Sequence, residues 1–382
     1  MNNDQYSKEI NDVMQLVTSN IFMQVNGLDV AYPYIAGSPG GGKTTALSTL
    51  CDQLKWGLIS THFALKPLEE TGGIPQFETI KIGGKDTLAT IWSFPDIMKE
   101  LYIQAEQHKL VVWLLDDIHL CGSIHMAMLY ELLTERKLRD YKLPKNVAIV
   151  LAGNHGNNKA GAKTMFSAII NRVSLFPIYT SFTGWKMNFA IKNKIHPAIM
   201  SFLGNNKYDQ FFHETEQVDT PWGSPRSWTR LSNIISQLER WNKKELNSDE
   251  LLYLAHSHVS KEGASEFLQY YKIFMKFNIK DIIQNADQFK LPDSPVNKYA
   301  LAFALCSYYS GLKDPNEIIK QFSKIIYNYI RDSPDLGIMI IHEIIDIEKC
   351  LNRRNLYSAL SKELNIIEPG ITNHLLKEIT SV

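Results

Sequence analysis

Up to about residue 180 the chain alternates short apolar runs with helical stretches. The apolar runs are Tyr32–Ala36, Leu58–Phe63, Leu110–Leu115, Val147–Ala152 and Ser174–Tyr179. The third and fourth are continuously apolar, the pattern of strands buried on both faces of a parallel sheet. Between the first two, Ala46, Leu47, Leu50, Cys51 and Leu54 fall on one stripe of a helix predicted over Lys43–Leu54. This alternation predicts a doubly wound α/β domain around a five-stranded parallel sheet. Pro33 and Pro177 lie inside two of the runs. Proline has no ladder donor, so each is expected to mark a strand end or a bulge.

Beyond residue 184 the pattern turns helical. Gly184–Leu203, Ser224–Trp241, Gly263–Asn278, Asn297–Leu312, Pro315–Ile330, Leu336–Leu351 and Leu356–Leu364 all carry helical spacing. The Pro/Asp/Ser-rich stretch Leu291–Pro295 separates two of these and reads as a subdomain boundary. The stripe Phe267, Tyr270, Tyr271 and Phe274 has core spacing.

Composition narrows the class. The 382 residues are enough for two or three domains. Lys plus Arg and Asp plus Glu each number 40, so the formal net charge is zero. That balance disfavours a dedicated polyanion binder. The longest apolar runs, such as Leu110–Leu115 and Gly337–Ile341, are too short to span a membrane. The first ten residues are polar and unlike a signal peptide. Cys51, Cys121, Cys306 and Cys350 are scattered, which suggests neither a disulfide framework nor a zinc site and points to a reducing cytoplasm.

The candidate chemistry lies at the ends of the strand-like runs. After Tyr32–Ala36, the segment Gly37-Ser38-Pro39-Gly40-Gly41-Gly42-Lys43-Thr44 matches GxxxxGK[ST] in full, and Thr45 continues into the predicted helix. Glycines let backbone amides curl around phosphate oxygens, and the helix N-terminus adds positive dipole. Lys43 is placed to reach the β- and γ-phosphates and Thr44 to ligate Mg²⁺. The run Leu110–Leu115 delivers Asp116 and Asp117 at its carboxyl end, where open α/β sheets bind ligands. Asp116 reads as the Mg²⁺-shell carboxylate and Asp117 as the residue polarising the attacking water.

Three later positions have two readings each. Asn154 follows Val147–Ala152 and either orients the water and γ-phosphate or is a turn asparagine. Arg172 precedes the strand Ser174–Tyr179 and either completes a neighbouring subunit's site or satisfies a helix C-terminus. Arg226, in Ser224-Pro225-Arg226-Ser227-Trp228, either points from a rigid helix start at a nucleotide or is a surface arginine. His342-Glu343 lacks the second histidine of a zinc-protease helix. His119 and His125 read as packed or helix-surface histidines rather than metal ligands.

In this order the motifs resemble an AAA+ ATPase, specifically a MoxR-like one of the kind found in phage and prophage genomes. The resemblance covers about residues 20–240. Gly72-Gly73-Ile74-Pro75, a hairpin over Leu138–Asn146, and Gly184-Trp185 followed by Ile195-His196-Pro197 fit it too. It implies an α/β nucleotide-binding domain over 1–183, a helical lid over 184–260 and a C-terminal helical region over 261–382. It implies ATP and Mg²⁺ held by Walker A (Gly37, Gly42, Lys43, Thr44) and the Walker-B Asp116. It makes Asn154 sensor 1, Arg172 the trans arginine finger and Arg226 sensor 2. The family normally has Glu where this chain has Asp117, which puts the rate of hydrolysis in question rather than nucleotide binding. It further implies a homo-oligomeric ring, commonly a hexamer, that remodels or activates a protein client or adapter. Two alternatives stay open. One is a nucleic-acid motor or loader, with Lys81, Lys85, Lys159 and Lys163 in pore-lining loops. The other is a nucleotide-gated scaffold with weak hydrolysis.

Overall fold

The computed structural model describes residues 8–154, 167–205, 208–212, 220–242, 247–312, 314–353 and 356–371. The chain divides into two compact units, Met1–Thr180 and Ser181–Val382.

The first unit runs β1 (Lys8–Glu9), α1 (Ile10–Val25), β2 (Tyr32–Ala36), α2 (Lys43–Leu54), β3 (Gly57–His62) and α3 (Leu68–Gly72). It continues through β4 (Pro75–Ile82), β5 (Lys85–Trp92), α4 (Asp96–Gln107), β6 (Val111–Asp116) and α5 (Ser123–Glu135). It closes with β7 (Lys137–Leu138), β8 (Tyr141–Lys142), β9 (Val147–Gly153), α6 (Ser167–Ile170) and β10 (Val173–Tyr179). The main sheet is parallel throughout, in the order β1-β10-β2-β9-β6-β3. All five expected strands are present within a residue or two at each end. The two-residue β1 adds a sixth, so the expectation of a five-stranded sheet is corrected at one edge. The fold class is as anticipated, a parallel α/β sheet followed by helices.

The apolar runs bury both faces because their residues alternate sides. Ile35, Val112, Leu114, Ala148 and Val150 pack with α1 and α2. Tyr34, Val111, Trp113, Leu115, Ile149 and Leu151 pack on the other face with α4 and α5. Each fully buried Val, Ile or Leu stabilises by about 1.5–3 kcal/mol. One polar group crosses this apolar layer with full satisfaction. The Gln24 amide donates to the Ile149 carbonyl at 2.9 Å and accepts the Ile149 N–H at 2.8 Å.

Pro33 and Pro177 mark neither a strand end nor a bulge. They lie within β2 and β10, where Ser174 pairs with Pro33 and Pro177 with Ala36. The reason is the direction of their missing donors. Tyr32 N–H points to the Arg172 carbonyl beside β10, so the next residue's nitrogen faces β9, whose ladder begins only at Tyr34. By the same alternation Pro177 faces the outer edge of β10, where β1 pairs only with Ile178 and Tyr179. Neither proline removes a ladder bond.

A second departure is the two-stranded hairpin β4–β5, in which Pro75 pairs with Trp92 and Ile82 with Lys85. Its turn is Gly83-Gly84, both with positive φ (59° and 83°), as a two-residue hairpin turn requires. Lys81 and Lys85 therefore lie on strands flanking this turn, not in loops; Lys159 and Lys163 fall outside the described residues. The expected hairpin over Leu138–Asn146 is the short pair β7–β8.

The second unit is helical. It contains α7 (Phe182–Trp185), α8 (Pro197–Leu203), α9 (Pro225–Asn242), α10 (Ser248–His256), α11 (Lys261–Phe274) and α12 (Ile279–Gln284). It ends with α13 (Pro295–Gly311), α14 (Ile319–Asp332), α15 (Pro334–Cys350) and α16 (Leu356–Ile367). The single helix expected over Gly184–Leu203 is interrupted. A π-helical turn spans Lys186–Ala190, and α8 restarts at Pro197, which forces His196 out of helical geometry (φ −52°, ψ 129°). Two cores fill the unit. One gathers Phe202, Trp228, Phe267, Tyr270 and Tyr271, so the predicted aromatic stripe is core. The other gathers Leu305, Tyr309, Phe322, Ile326 and Ile344. Helix α13 supplies residues to both.

Candidate functional site

The parallel register lines up the carboxyl ends of four strands. Ala36 pairs with Gly153 and His62 with Asp116. The residues leaving these ends, namely the loop 37–42, Asp116–Asp117, Asn154 and His62, therefore share one edge of the sheet.

The glycine loop folds as its motif demands. Gly42 has φ 88° and is the N-terminal boundary residue of α2, a conformation in which a Cβ is strained. The Gly41 N–H donates to the Ser38 carbonyl at 3.2 Å, and the Thr180 hydroxyl donates to the Gly41 carbonyl at 2.5 Å. Lys43 is buried with its ammonium at the loop's centre. It donates to the Gly37 carbonyl (2.9 Å), the Ser38 carbonyl (3.1 Å) and Asn154 Oδ1 (3.3 Å). Thr44 Oγ1 donates to Asp116 Oδ2 at 2.6 Å. Asp116 is buried and accepts the Asp117 N–H on its other oxygen at 2.9 Å. A hydroxyl beside a carboxylate at a helix start is a hard-oxygen pair, which suits Mg²⁺ completed by phosphate and water oxygens. The loop runs directly into the start of α2, where the first-turn backbone amides are donors of the kind that suit an anion such as a phosphate.

Asp117 adopts the left-handed region (φ 53°). Its Oδ2 lies 3.3 Å from His62 Nδ1, and both groups are substantially exposed. His119 is buried against Asn154. Its Nδ1 accepts the Asn154 N–H at 3.3 Å, and its Nε2 lies 3.2 Å from Asn154 Nδ2. Burial lowers the His119 pKa; the Asp117 and Asp116 charges oppose that and Lys43 reinforces it. The Tyr34 hydroxyl donates to the Asn154 carbonyl at 3.4 Å. Burial, and next the Asp117 charge, push that hydroxyl's pKa up to about 12, so it stays a donor. His125 Nε2 lies 2.9 Å from the Lys66 carbonyl. Among the described residues no group of three or more His, Cys, Asp or Glu could hold a metal ion.

Arg172 stands at the other edge of the sheet. Its carbonyl accepts the Tyr32 N–H at 2.8 Å, level with the start of β2. Five residues at about 3.3 Å each separate that level from Gly37, roughly 17 Å, which is beyond the reach of an arginine side chain. The structure thus brings together Lys43, Thr44, Asp116, Asp117 and Asn154 and leaves Arg172 away from them. Arg226 belongs to the second unit, where it is exposed in the first turn of α9. Ser224 Oγ accepts the Ser227 N–H there at 3.0 Å, as expected of a helix cap.

Sequence reasoning missed His62, the His119–Asn154 contact and the Tyr34 and Thr180 ties. His62 had a readable signal, since it lies at the carboxyl end of the strand-like run Leu58–Phe63. The others depend on register and tertiary packing.

No protein-family model and no curated protein matches the sequence. Among solved structures, the chain is similar to the RuvB Holliday junction branch migration motor of Thermotoga maritima. The TM-score is 0.35 at 13% identity, covering 80% of this chain and 87% of that one. A point variant of the same RuvB gives TM-score 0.38 at 14% identity, covering 82% and 87%. NtrX from Brucella abortus gives TM-score 0.36 at 13% identity, covering 78% and 68%. Among the described residues no helix is long and apolar enough to cross a membrane.

Proposed function

We propose that this protein is an Mg²⁺-dependent AAA+ ATPase of MoxR-like type, working as a homo-oligomeric ring, with six subunits the favoured number, that remodels or activates a partner protein. The observation that carries this reading is the Thr44–Asp116 hydrogen bond at the start of α2, with Lys43 and Asn154 converging on the same loop. Thr44 and Asp116 would hold Mg²⁺, which would neutralise phosphate charge when ATP is bound.

Residues 37–45 hold the phosphates by backbone amides, and Lys43 adds a cation. Thr44 and Asp116 hold the Mg²⁺ shell. Asp117 orients the attacking water and accepts its proton, with His62 fixing the direction of the carboxylate. Asn154 aligns the water against the γ-phosphate, positioned by His119 and Tyr34. Arg172, too far from its own loop, serves the site of an adjoining subunit. Arg226 is assigned the sensor-2 role, in a lid over 184–260, and 261–382 is the C-terminal helical region.

The protein client is supported by the hairpin β4–β5. Phe77 is 72% exposed and Leu88 68% exposed, while Glu78 and Asp86 balance Lys81 and Lys85. An apolar, charge-neutral projection suits polypeptide rather than phosphate backbone. Steady-state phosphate release from ATP tests the reading. Turnover should require Mg²⁺ and disappear in Lys43→Ala. Nucleotide binding with no turnover above that variant would instead indicate a nucleotide-gated scaffold. Turnover stimulated by DNA or RNA and not by protein would indicate a nucleic-acid motor.

A further inference from the structure

The α5 helix, which follows the acidic strand β6, carries a clamp for Arg172. Tyr130 and Thr134 are four residues apart and so share one face of that helix. The Arg172 guanidinium carbon lies 4.2 Å from the centre of the Tyr130 ring. Nη2 donates to the Tyr130 hydroxyl at 3.0 Å, and Nε donates to Thr134 Oγ1 at 2.8 Å. The Thr134 hydroxyl spends its own proton on the Tyr130 carbonyl at 2.7 Å, which leaves its lone pairs for the guanidinium. The backbone is held too, because Arg172 N–H donates to the Ile169 carbonyl and its carbonyl accepts from Tyr32.

This clamp does not account for how α5 is attached. Leu129, Leu132 and Leu133 already bury that helix in the core, whereas Tyr130 is 40% exposed and Thr134 is exposed. Contacts this open add little stability. They do restrict a side chain that otherwise has many rotamers. Thr134 and Arg172 also line an open groove of about 880 Å³, together with Arg136 and Lys145. Arg172 therefore borders an open groove at the amino end of β2.

We propose that Tyr130 and Thr134 are positioning residues that preset the Arg172 guanidinium for the ATP of an adjoining subunit. This rests on the reading of Arg172 as a group acting in trans. Stacking sets the plane of the guanidinium and the two hydrogen bonds set its rotation, so less order has to be imposed at the moment of reaction.

The test compares full-length variants by kcat, KM for ATP and thermal midpoint. Arg172→Ala should lose about a thousandfold in kcat. Tyr130→Leu should lose about tenfold in kcat, with KM and thermal midpoint unchanged. Tyr130→Phe, which keeps the ring, should recover part of that loss. Thr134→Val should lose several-fold, and Thr134→Ser should restore the rate. Tyr130→Leu added to Arg172→Ala should have no further effect, as two residues acting through one group require. Wild-type kcat in Tyr130→Leu and Thr134→Val, alongside a slow Arg172→Ala, overturns the positioning role and leaves the trans role standing. Wild-type kcat in Arg172→Ala overturns the trans reading and the positioning role with it. A lowered midpoint with losses that add to those of Arg172→Ala makes the clamp structural and overturns the proposal.

Discussion

Replacing Thr44 by Val keeps the side chain's shape and removes its hydroxyl, which isolates the bond to Asp116. That bond is 2.6 Å long and ends on a buried carboxylate. Hydrogen bonds to charged groups contribute about 1.5–3 kcal/mol. Asp116 keeps its second partner, the Asp117 N–H at 2.9 Å, so the loss should fall mid-range, about 2 kcal/mol. A unit of this size shifts by about 2–4 °C per kcal/mol. Thr44→Val should therefore melt about 4–8 °C lower without nucleotide. Adding Mg²⁺ and a slowly hydrolysed ATP analogue at 100 times its Kd stabilises the parent by about 2.7 kcal/mol. Thr44→Val should lose most of that gain, and Thr44→Ser should keep it. Scanning calorimetry reads both effects. Equal melting of Thr44→Val and the parent without nucleotide would refute the energetic weight given to the bond. A full Mg²⁺-nucleotide shift in Thr44→Val would refute the assignment of Thr44 and Asp116 to the metal.

Asn154→Ala should lower ATP turnover by about a hundredfold, the scale of losing one preorganised polar group, with little change in analogue affinity. Equal turnover would return Asn154 to an ordinary turn residue. Gly73 has φ 76° and ψ 175°, and a Cβ there would lie 2.1 Å from the Ser93 carbonyl oxygen. Gly73→Ala should therefore destabilise the first unit by about 1–3 kcal/mol from backbone strain alone, read as a lower calorimetric midpoint. In the second unit, burial pushes the Glu239 pKa upward, but hydrogen bonds from His196 and Tyr271 and the His196 charge outweigh it and hold it below 4.5. The unfolded chain then takes up that proton first on acidification, so the stabilisation is present above about pH 4.5 and fades as pH falls through the folded value. Glu239→Gln should flatten that acid limb in a pH series of urea midpoints, and an unchanged limb would remove the assignment.

The strands were legible because β6 and β9 are apolar without interruption, and continuity is what burial on both faces requires. The prolines misled because a residue-level rule ignores which way each missing donor faces, and the parallel register decides that. The β4–β5 hairpin was illegible for a different reason. Neither of its faces is buried by the unit, so Phe77, Ile82 and Leu88 show no clean apolar–polar alternation. At the site, Lys43, Thr44 and Asp116 were readable because motif and strand end coincide. The His62–Asp117 contact and the Tyr130–Arg172 stack join residues 55 and 42 positions apart, and only the folded register brings them together.

The central claim is a site completed by a second subunit, and mixing two inactive chains tests it most directly. Lys43→Ala lacks a working phosphate loop but keeps Arg172, and Arg172→Ala keeps the loop but lacks the arginine. Each alone should hydrolyse ATP at background rate. Mixed in equal amounts they should recover a substantial fraction of parental turnover, since some interfaces then pair an intact loop with an intact arginine. Background turnover at every mixing ratio, with mixed rings shown to form, would contradict the account.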